Sequence, residues 1–205
     1  MSSLLDIIYS MLFGGTLFII VLNANDIAAE NQSTYHGDMM VQQMLTNTAQ
    51  LIEGEFRNMG FGMPEKSATV RAADSSSISF LTDLGRDGGF IDTIRYSIGP
   101  VSELAATQNE LDRNLYRSVN GGQRAIVGIV TTFRLQYFTM DGELLSVPVP
   151  SDRLSEVQVV EVTMEVQNSN ALARSSVQVK EGERSALYSS SLWQQTRLAS
   201  QNSRR

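Results

Sequence analysis

Cysteine is absent from the 205 residues, so no disulfide framework, thiol nucleophile or thiolate metal site is available. An oxidising compartment stays open to such a chain. There is one histidine, His36. It has no cysteine or second histidine near it, whereas zinc sites need several such ligands. Positive charge is missing from the whole first quarter. Residues 1–56 carry Asp6, Asp26, Glu30, Asp38, Glu53 and Glu55 but no lysine or arginine, and the first basic residue is Arg57. The 16 bases are all in residues 57–205 with the other acids, so the net charge of −6 belongs to the N-terminal stretch. No basic patch is strong enough to propose nucleic acid as a partner, and Arg204 and Arg205 read as a solvated end.

Motifs for chemistry are also missing. There is no nucleophile elbow, phosphate loop or dinucleotide fingerprint. Gly85-Arg86-Asp87-Gly88-Gly89 is glycine-rich but lacks the Lys-Ser/Thr of a phosphate loop. Asp83, Asp87 and Asp92 flank it and are weak calcium candidates, because calcium accepts several flexible oxygen ligands. Their order does not match a calcium-binding loop, which makes a plain polar loop the simpler reading. Glu161 and Glu165 face one side of a strand without the paired setting that glycoside hydrolysis needs. The expectation is a non-enzymatic protein with no cofactor.

What is present begins at the N-terminus. Met1 to Leu22 reads MSSLLDIIYSMLFGGTLFIIVL, long enough for a bilayer core of about 20 apolar residues. A cleaved signal peptide would show a basic start and a small-residue cleavage site. Neither is evident, since Ala28-Ala29 is a late and poor candidate. Leu4, Leu5, Ile7, Ile8, Leu12, Phe13, Leu17 and Phe18, with Gly14 and Gly15, would pack in a membrane or against other helices. Asp6 is the odd residue. It is either hydrated in the headgroup layer or paired with a cation inside an assembly. Charge gives no orientation, because no base lies near the span.

From Ile27 to Phe61 the pattern predicts helix. Val41, Met44, Leu45, Ala49, Ile52, Phe56 and Met59 recur at three- and four-residue steps, one apolar stripe. A helix unbroken from residue 4 to 59 would be about 85 Å long, so only its second half can lie on a domain of this size. Gly60, Gly62 and Pro64 then stop it.

Beyond, the period changes to two. Ile78 and Phe80 alternate, as do Ile94, Tyr96 and Ile98. Val127, Ile129, Thr131, Phe133, Leu135 and Tyr137 read as one long strand with one buried face. Asp141-Gly142 predicts a hairpin turn. The return strand from Leu144 to Val149 carries Pro148 and Pro150, which suits an edge. Val160, Val162, Met164 and Val166 point inward, with Glu161, Thr163 and Glu165 outward. Val177, Val179, Leu187, Leu192 and Trp193 suggest closing strands. Asn120-Gly121-Gly122 is a turn, and residues 99–112 and 167–175 are the expected long loops. The expected class is α+β: a long helix packed through its second half on an antiparallel sheet. The expected divisions are 1–25 as membrane or filament-core helix, 26–61 as its amphipathic continuation and 62–205 as a β-rich head.

That order of features resembles the type IV pilin-like proteins, especially PilW-type minor pilins and the J-type pseudopilins of type II secretion. Three segments carry the resemblance. The first is the N-terminal apolar helix with an acid near its start. The second is Glu55-Phe56-Arg57-Asn58-Met59-Gly60-Phe61-Gly62-Met63-Pro64, similar to the family's helix end. The third is the strand series from Asp92-Thr93-Ile94-Arg95-Tyr96 through Leu115-Tyr116-Arg117 and Val127 to Asp141-Gly142, ending at Val157 to Val166. The resemblance implies a subunit whose helices bundle in a filament core, with other pilin-like subunits, the inner membrane and filament assembly machinery as partners. It implies an extracytoplasmic or periplasmic head. It also implies that Asp6 neutralises a neighbour's N-terminal amine. Counted from Ser2, Asp6 is the fifth residue, the family's place for its Glu. The start departs from the family in reading Ser-Ser-Leu-Leu-Asp rather than Phe-Thr-Leu-Ile-Glu. It also shows no basic leader ending in Gly, so the chain is expected to be either already mature or inserted without that processing. The competing expectation is a single-pass anchored binding module that does not polymerise.

Overall fold

A computed structural model describes residues 2–63, 69–85, 90–107, 109–167 and 191–199. Pro64, Asp87, Val177, Val179, Leu187, Arg204 and Arg205, together with residues 168–175 of the expected loop, lie outside the described residues. The class is α+β: one long N-terminal helix and two antiparallel sheets.

Helix α1 spans Ser2–Arg57 without interruption, about 84 Å at 1.5 Å per residue. The sequence holds no proline before Pro64, so every interior N–H can serve the helical ladder. Gly14 and Gly15 do not break it, and nothing crowds either position. The Ser10 and Thr16 hydroxyls donate to the carbonyls of Asp6 and Leu12 one turn back, so these two hydroxyls are satisfied within the helix. The end falls at Arg57, a few residues before the expected Phe61. The orphan carbonyls of the last turn are taken locally. The Asn58 amide donates to the Gly54 carbonyl, and the N–H groups of Asn58 and Met59 donate to the carbonyls of Glu55 and Phe56. Gly60 and Gly62 then adopt φ of +74° and +75°, a left-handed backbone that glycine alone takes without penalty.

The first sheet is a five-stranded meander, β1 (Val70–Ala73), β2 (Ser77–Thr82), β3 (Asp92–Ile98), β4 (Arg113–Val119) and β5 (Ala125–Val130), in that spatial order. The second contains β6 (Thr132–Phe138), β7 (Val159–Gln167) and β8 (Ser191–Ala199). In the first sheet Ile78 pairs with Tyr96 and Phe80 with Ile94, while Tyr96 pairs with Arg117 and Ile98 with Leu115. Ile78, Phe80, Ile94, Tyr96 and Leu115 are buried, and they share one core with Phe133, Leu135, Tyr137, Val160, Val162 and Met164 from the second sheet. Val41, Leu45, Ala49, Ile52, Phe56 and Met59 belong to the same core. The Phe56 ring meets Phe80 and Tyr96 edge-on, with centroids 5.3 and 5.6 Å away, the geometry aromatic quadrupoles favour.

Three strand expectations are corrected. The alternating run from Val127 to Tyr137 is two strands in two different sheets, parted at Thr131. The Thr131 N–H donates to the Glu165 carbonyl at 2.9 Å and so joins β7 rather than β4. Burial changes phase there: Gly128 and Val130 are buried in β5, with Val127 and Ile129 half-buried, while Phe133, Leu135 and Tyr137 are buried in β6. The segment Leu144–Val149 is not a strand. It makes a single bridge, Phe138 to Leu144, and Pro148 and Pro150 have no N–H for a ladder. Glu161 does not face outward to water. It is 4% exposed, and the Arg197 guanidinium on β8 donates to its carboxylate.

Candidate functional site: the exposed stem and its junction

The first half of α1 is a rod of exposed apolar side chains. Every large apolar residue from Leu4 to Leu22 is 47–79% exposed. Leu4, Leu5, Ile7, Ile8, Leu12, Phe13, Leu17 and Phe18 all lie there, and they surround the helix rather than forming one stripe. A helix apolar all round requires an apolar environment on every side. Among the described residues, α1 is the one helix long and apolar enough to cross a membrane by length and composition. Residues 23–33, 35 and 36 continue it as an exposed, mostly polar segment. Some 35 residues of α1, about 52 Å of helix, therefore precede Gly37, the first buried residue among those described.

Asp6 lies within this rod, exposed, one turn before Ser10. The first basic side chain of the chain, Arg57, is about 76 Å further along the helix at 1.5 Å per residue. A side-chain cation for Asp6 must therefore come from outside this helix.

At the other end of α1, a charged cluster forms from three separate elements. Glu55 on α1 accepts from the Arg117 guanidinium on β4: Nε lies 2.9 and 3.0 Å from its two oxygens, and a terminal nitrogen is 2.6 Å away. The Tyr96 hydroxyl on β3 donates to the same carboxylate at 2.6 Å. The side chains of Arg117 and Glu55 are 22% and 12% exposed. Both carboxylate oxygens are occupied, which is what a charge largely withdrawn from water requires. Burial, and then the adjacent Glu55 charge, push the Tyr96 phenol far above its usual range. Hydrogen bonding to Glu55 holds the Arg117 guanidinium still more firmly protonated. Tyr96 is thus a fixed donor and Arg117 a fixed cation. The cluster can hold these three elements together.

The expected calcium candidates are partly brought together. Asp83 and Asp92 line one depression of about 410 Å³ with Gly85, Phe90, Ile91 and Asn120; Asp87 lies outside the described residues. Asp92 already accepts from the Asn120 amide at 2.7 Å and from the Leu84 N–H at 3.3 Å, so it works as a clip between two turns. Among the described residues no group of three or more His, Cys, Asp or Glu could hold a metal ion.

Sequence reasoning missed the Glu55–Arg117–Tyr96 cluster. Glu55 counts there as a stem acid and as the start of the helix-end segment, and its partners lie 41 and 62 positions away. One signal was present: Glu55 stands directly before Phe56, on the edge of the apolar stripe, where a charge needs a partner. Compared with known proteins, the chain matches no family model, no curated protein and no solved structure.

Proposed function

We propose that this chain is a non-enzymatic structural subunit, a minor pilin or pseudopilin of a type IV pilus or type II secretion-like filament. In this reading it is held in the inner membrane by the first part of α1 and assembles through it. The observation that carries the proposal is the exposed apolar rod from Leu4 to Leu22, joined without a break to a stripe that enters the β-rich core. Burying such a rod recovers about 25 cal/mol per Å² of apolar surface, and only a bilayer or a bundle of like helices surrounds a helix on all sides. The second half of α1, from Val41 to Phe56, is the face on which the head is carried. The polar segment 23–36 spaces the head off the membrane on its extracytoplasmic side. Asp6 supports the bundle within this reading: a carboxylate in an apolar rod costs a few kcal/mol at mid-membrane unless a cation meets it, and a neighbour's N-terminal amine would meet it.

The test is Asp6→Ala in cells, reading membrane fractionation and site-specific cross-linking between copies through residues 8–20. Normal insertion with lost cross-links supports assembly through Asp6. Normal insertion with unchanged cross-links removes Asp6 from the mechanism. Absence of any cross-links in the unsubstituted chain leaves the anchored, non-polymerising binding module as the better reading.

A further inference from the structure

The place where the chain passes from one sheet to the other also forms a cleft of about 350 Å³, lined by Ser75, Ser76, Ile98, Arg113, Thr131, Thr132, Phe133 and Arg134. Arg113 opens β4 opposite Val130, the last residue of β5, and Arg134 is on β6 just after the crossing at Thr131. The crossing therefore brings Arg113 and Arg134, 21 positions apart in sequence, to the lining of one cleft. Neither has a carboxylate partner among the described residues, although acids outnumber bases in this chain. Arg71 and Arg95 have none either, whereas Arg57, Arg117, Arg153 and Arg197 each meet a glutamate, and Arg124 lies over the Tyr116 ring at 4.4 Å.

Two acids adjoining the lining residues are already engaged. Glu165 accepts from the Thr132 hydroxyl and the Gln167 amide at 3.1 and 2.9 Å, and Asp74 accepts from the Ser75 N–H at 2.6 Å. Ser76 adds a hydroxyl to the rim, whereas those of Ser75, Thr131 and Thr132 already donate to Asp74, to the Glu165 carbonyl and to the Glu165 carboxylate. Phe133, buried, and Ile98, half-buried, give an apolar floor.

We propose that this cleft binds an oxyanion, a carboxylate or phosphate group held by Arg113 and Arg134. Two arginines and the Ser76 hydroxyl offer donors to the planar or tetrahedral acceptor set of such a group. The volume exceeds the anion alone, so Ile98 and Phe133 would receive the carbon atoms next to it. The anion could be free in solution or be an acidic side chain of another polypeptide; the chemistry recognised is the same. The site is independent of membrane assembly.

The test uses the full chain in detergent micelles at constant ionic strength, because surface charge effects are screened by salt. Arginine Nε–H resonances are followed on adding inorganic phosphate, succinate, or a synthetic peptide of residues 23–38 of this chain, which carries Asp26, Glu30 and Asp38. The expected result is a saturable shift of the Arg113 and Arg134 signals by at least one probe, in the millimolar range or tighter, at roughly 10 mM or below. Arg113→Gln and Arg134→Gln should each weaken it about tenfold, while Arg95→Gln, on an exposed strand position elsewhere, should leave it unchanged. Saturation by phosphate or succinate alone identifies a free anion, and saturation by the peptide alone identifies a polypeptide. No saturable shift from any probe overturns the proposal. So does binding that survives both cleft substitutions, or binding that Arg95→Gln weakens equally. Thermal melting of each variant separates lost binding from lost folding, and binding lost from both folded cleft variants sustains the proposal.

Discussion

Replacing Arg117 with methionine is the sharpest probe of how the helix end is held. Methionine keeps most of the aliphatic reach and removes the cation. Glu55 would then stay 12% exposed, with only the Tyr96 hydroxyl donating to it. Breaking a fully buried pair costs about 3–5 kcal/mol, chiefly through the uncompensated charge left behind. Arg117 is about one-fifth exposed, and water can reach part of the vacated space, so the expected loss is about 2–4 kcal/mol. Replacing Glu55 and Arg117 together by methionine removes both charges and both desolvation penalties. The double variant should be more stable than the sum of the single losses predicts, by about 1.5–3 kcal/mol. The assay is urea unfolding of the micelle-held full chain, followed by far-UV circular dichroism, for the four members of the cycle. A single-variant loss under about 0.5 kcal/mol, or strict additivity, would refute the view that the carboxylate depends on its guanidinium.

Two further outcomes are expected. Burial raises the phenols of both Tyr96 and Tyr137 far above the usual value of 10.0. The folded chain therefore keeps two protons that the unfolded chain releases. Stability is complete below about pH 10 and falls above it, by about 2.7 kcal/mol per pH unit for the two together. Tyr96→Phe and Tyr137→Phe should each halve that slope in urea titrations between pH 9 and 11, and an unchanged slope in both variants would contradict it. Separately, a Cβ on Gly128 would stand 2.8 Å from the Thr48 hydroxyl oxygen. Gly128→Ala should cost about 1–3 kcal/mol through overpacking, and clearly less in a Thr48→Ala background; equal costs in both would show that the contact is not the cause.

The long helix was readable because its signals are local: an apolar run, a stripe at three- and four-residue steps, and glycines placed to end it. The inward faces of β3 and β7 were readable for the same reason, since Ile94 and Tyr96, and Val160, Val162 and Met164, alternate cleanly. The division between sheets was not. Thr131 is β-branched and favours strands, no glycine or proline marks it, and the apolar alternation continues through it. What parts the strands is a bond to the Glu165 carbonyl, 34 positions away, which no local pattern contains. The burial of Glu161 was hidden similarly, because its partner Arg197 lies on another strand. The apolar rod and Asp6 were visible as a sequence. The Glu55–Arg117–Tyr96 cluster and the Arg113–Arg134 cleft arise only when distant strands are laid side by side.

The single residue between β5 and β6 also sets how this chain can vary in length. Strand side chains alternate, so shifting the register by one residue turns every inward group outward. Thr131 separates a strand buried at Gly128 and Val130 from one buried at Phe133, Leu135 and Tyr137. Losing or gaining one codon there would set Val130 against Phe133 in the wrong phase, and one sheet would have to turn its apolar face to water. The turn at Asn120-Gly121-Gly122, where nothing crowds Gly121, could absorb the same change. Among descendants of this sequence, insertions and deletions should therefore collect at such turns, and the spacing from Ala125 to Phe138 should stay fixed even as the residues between them drift.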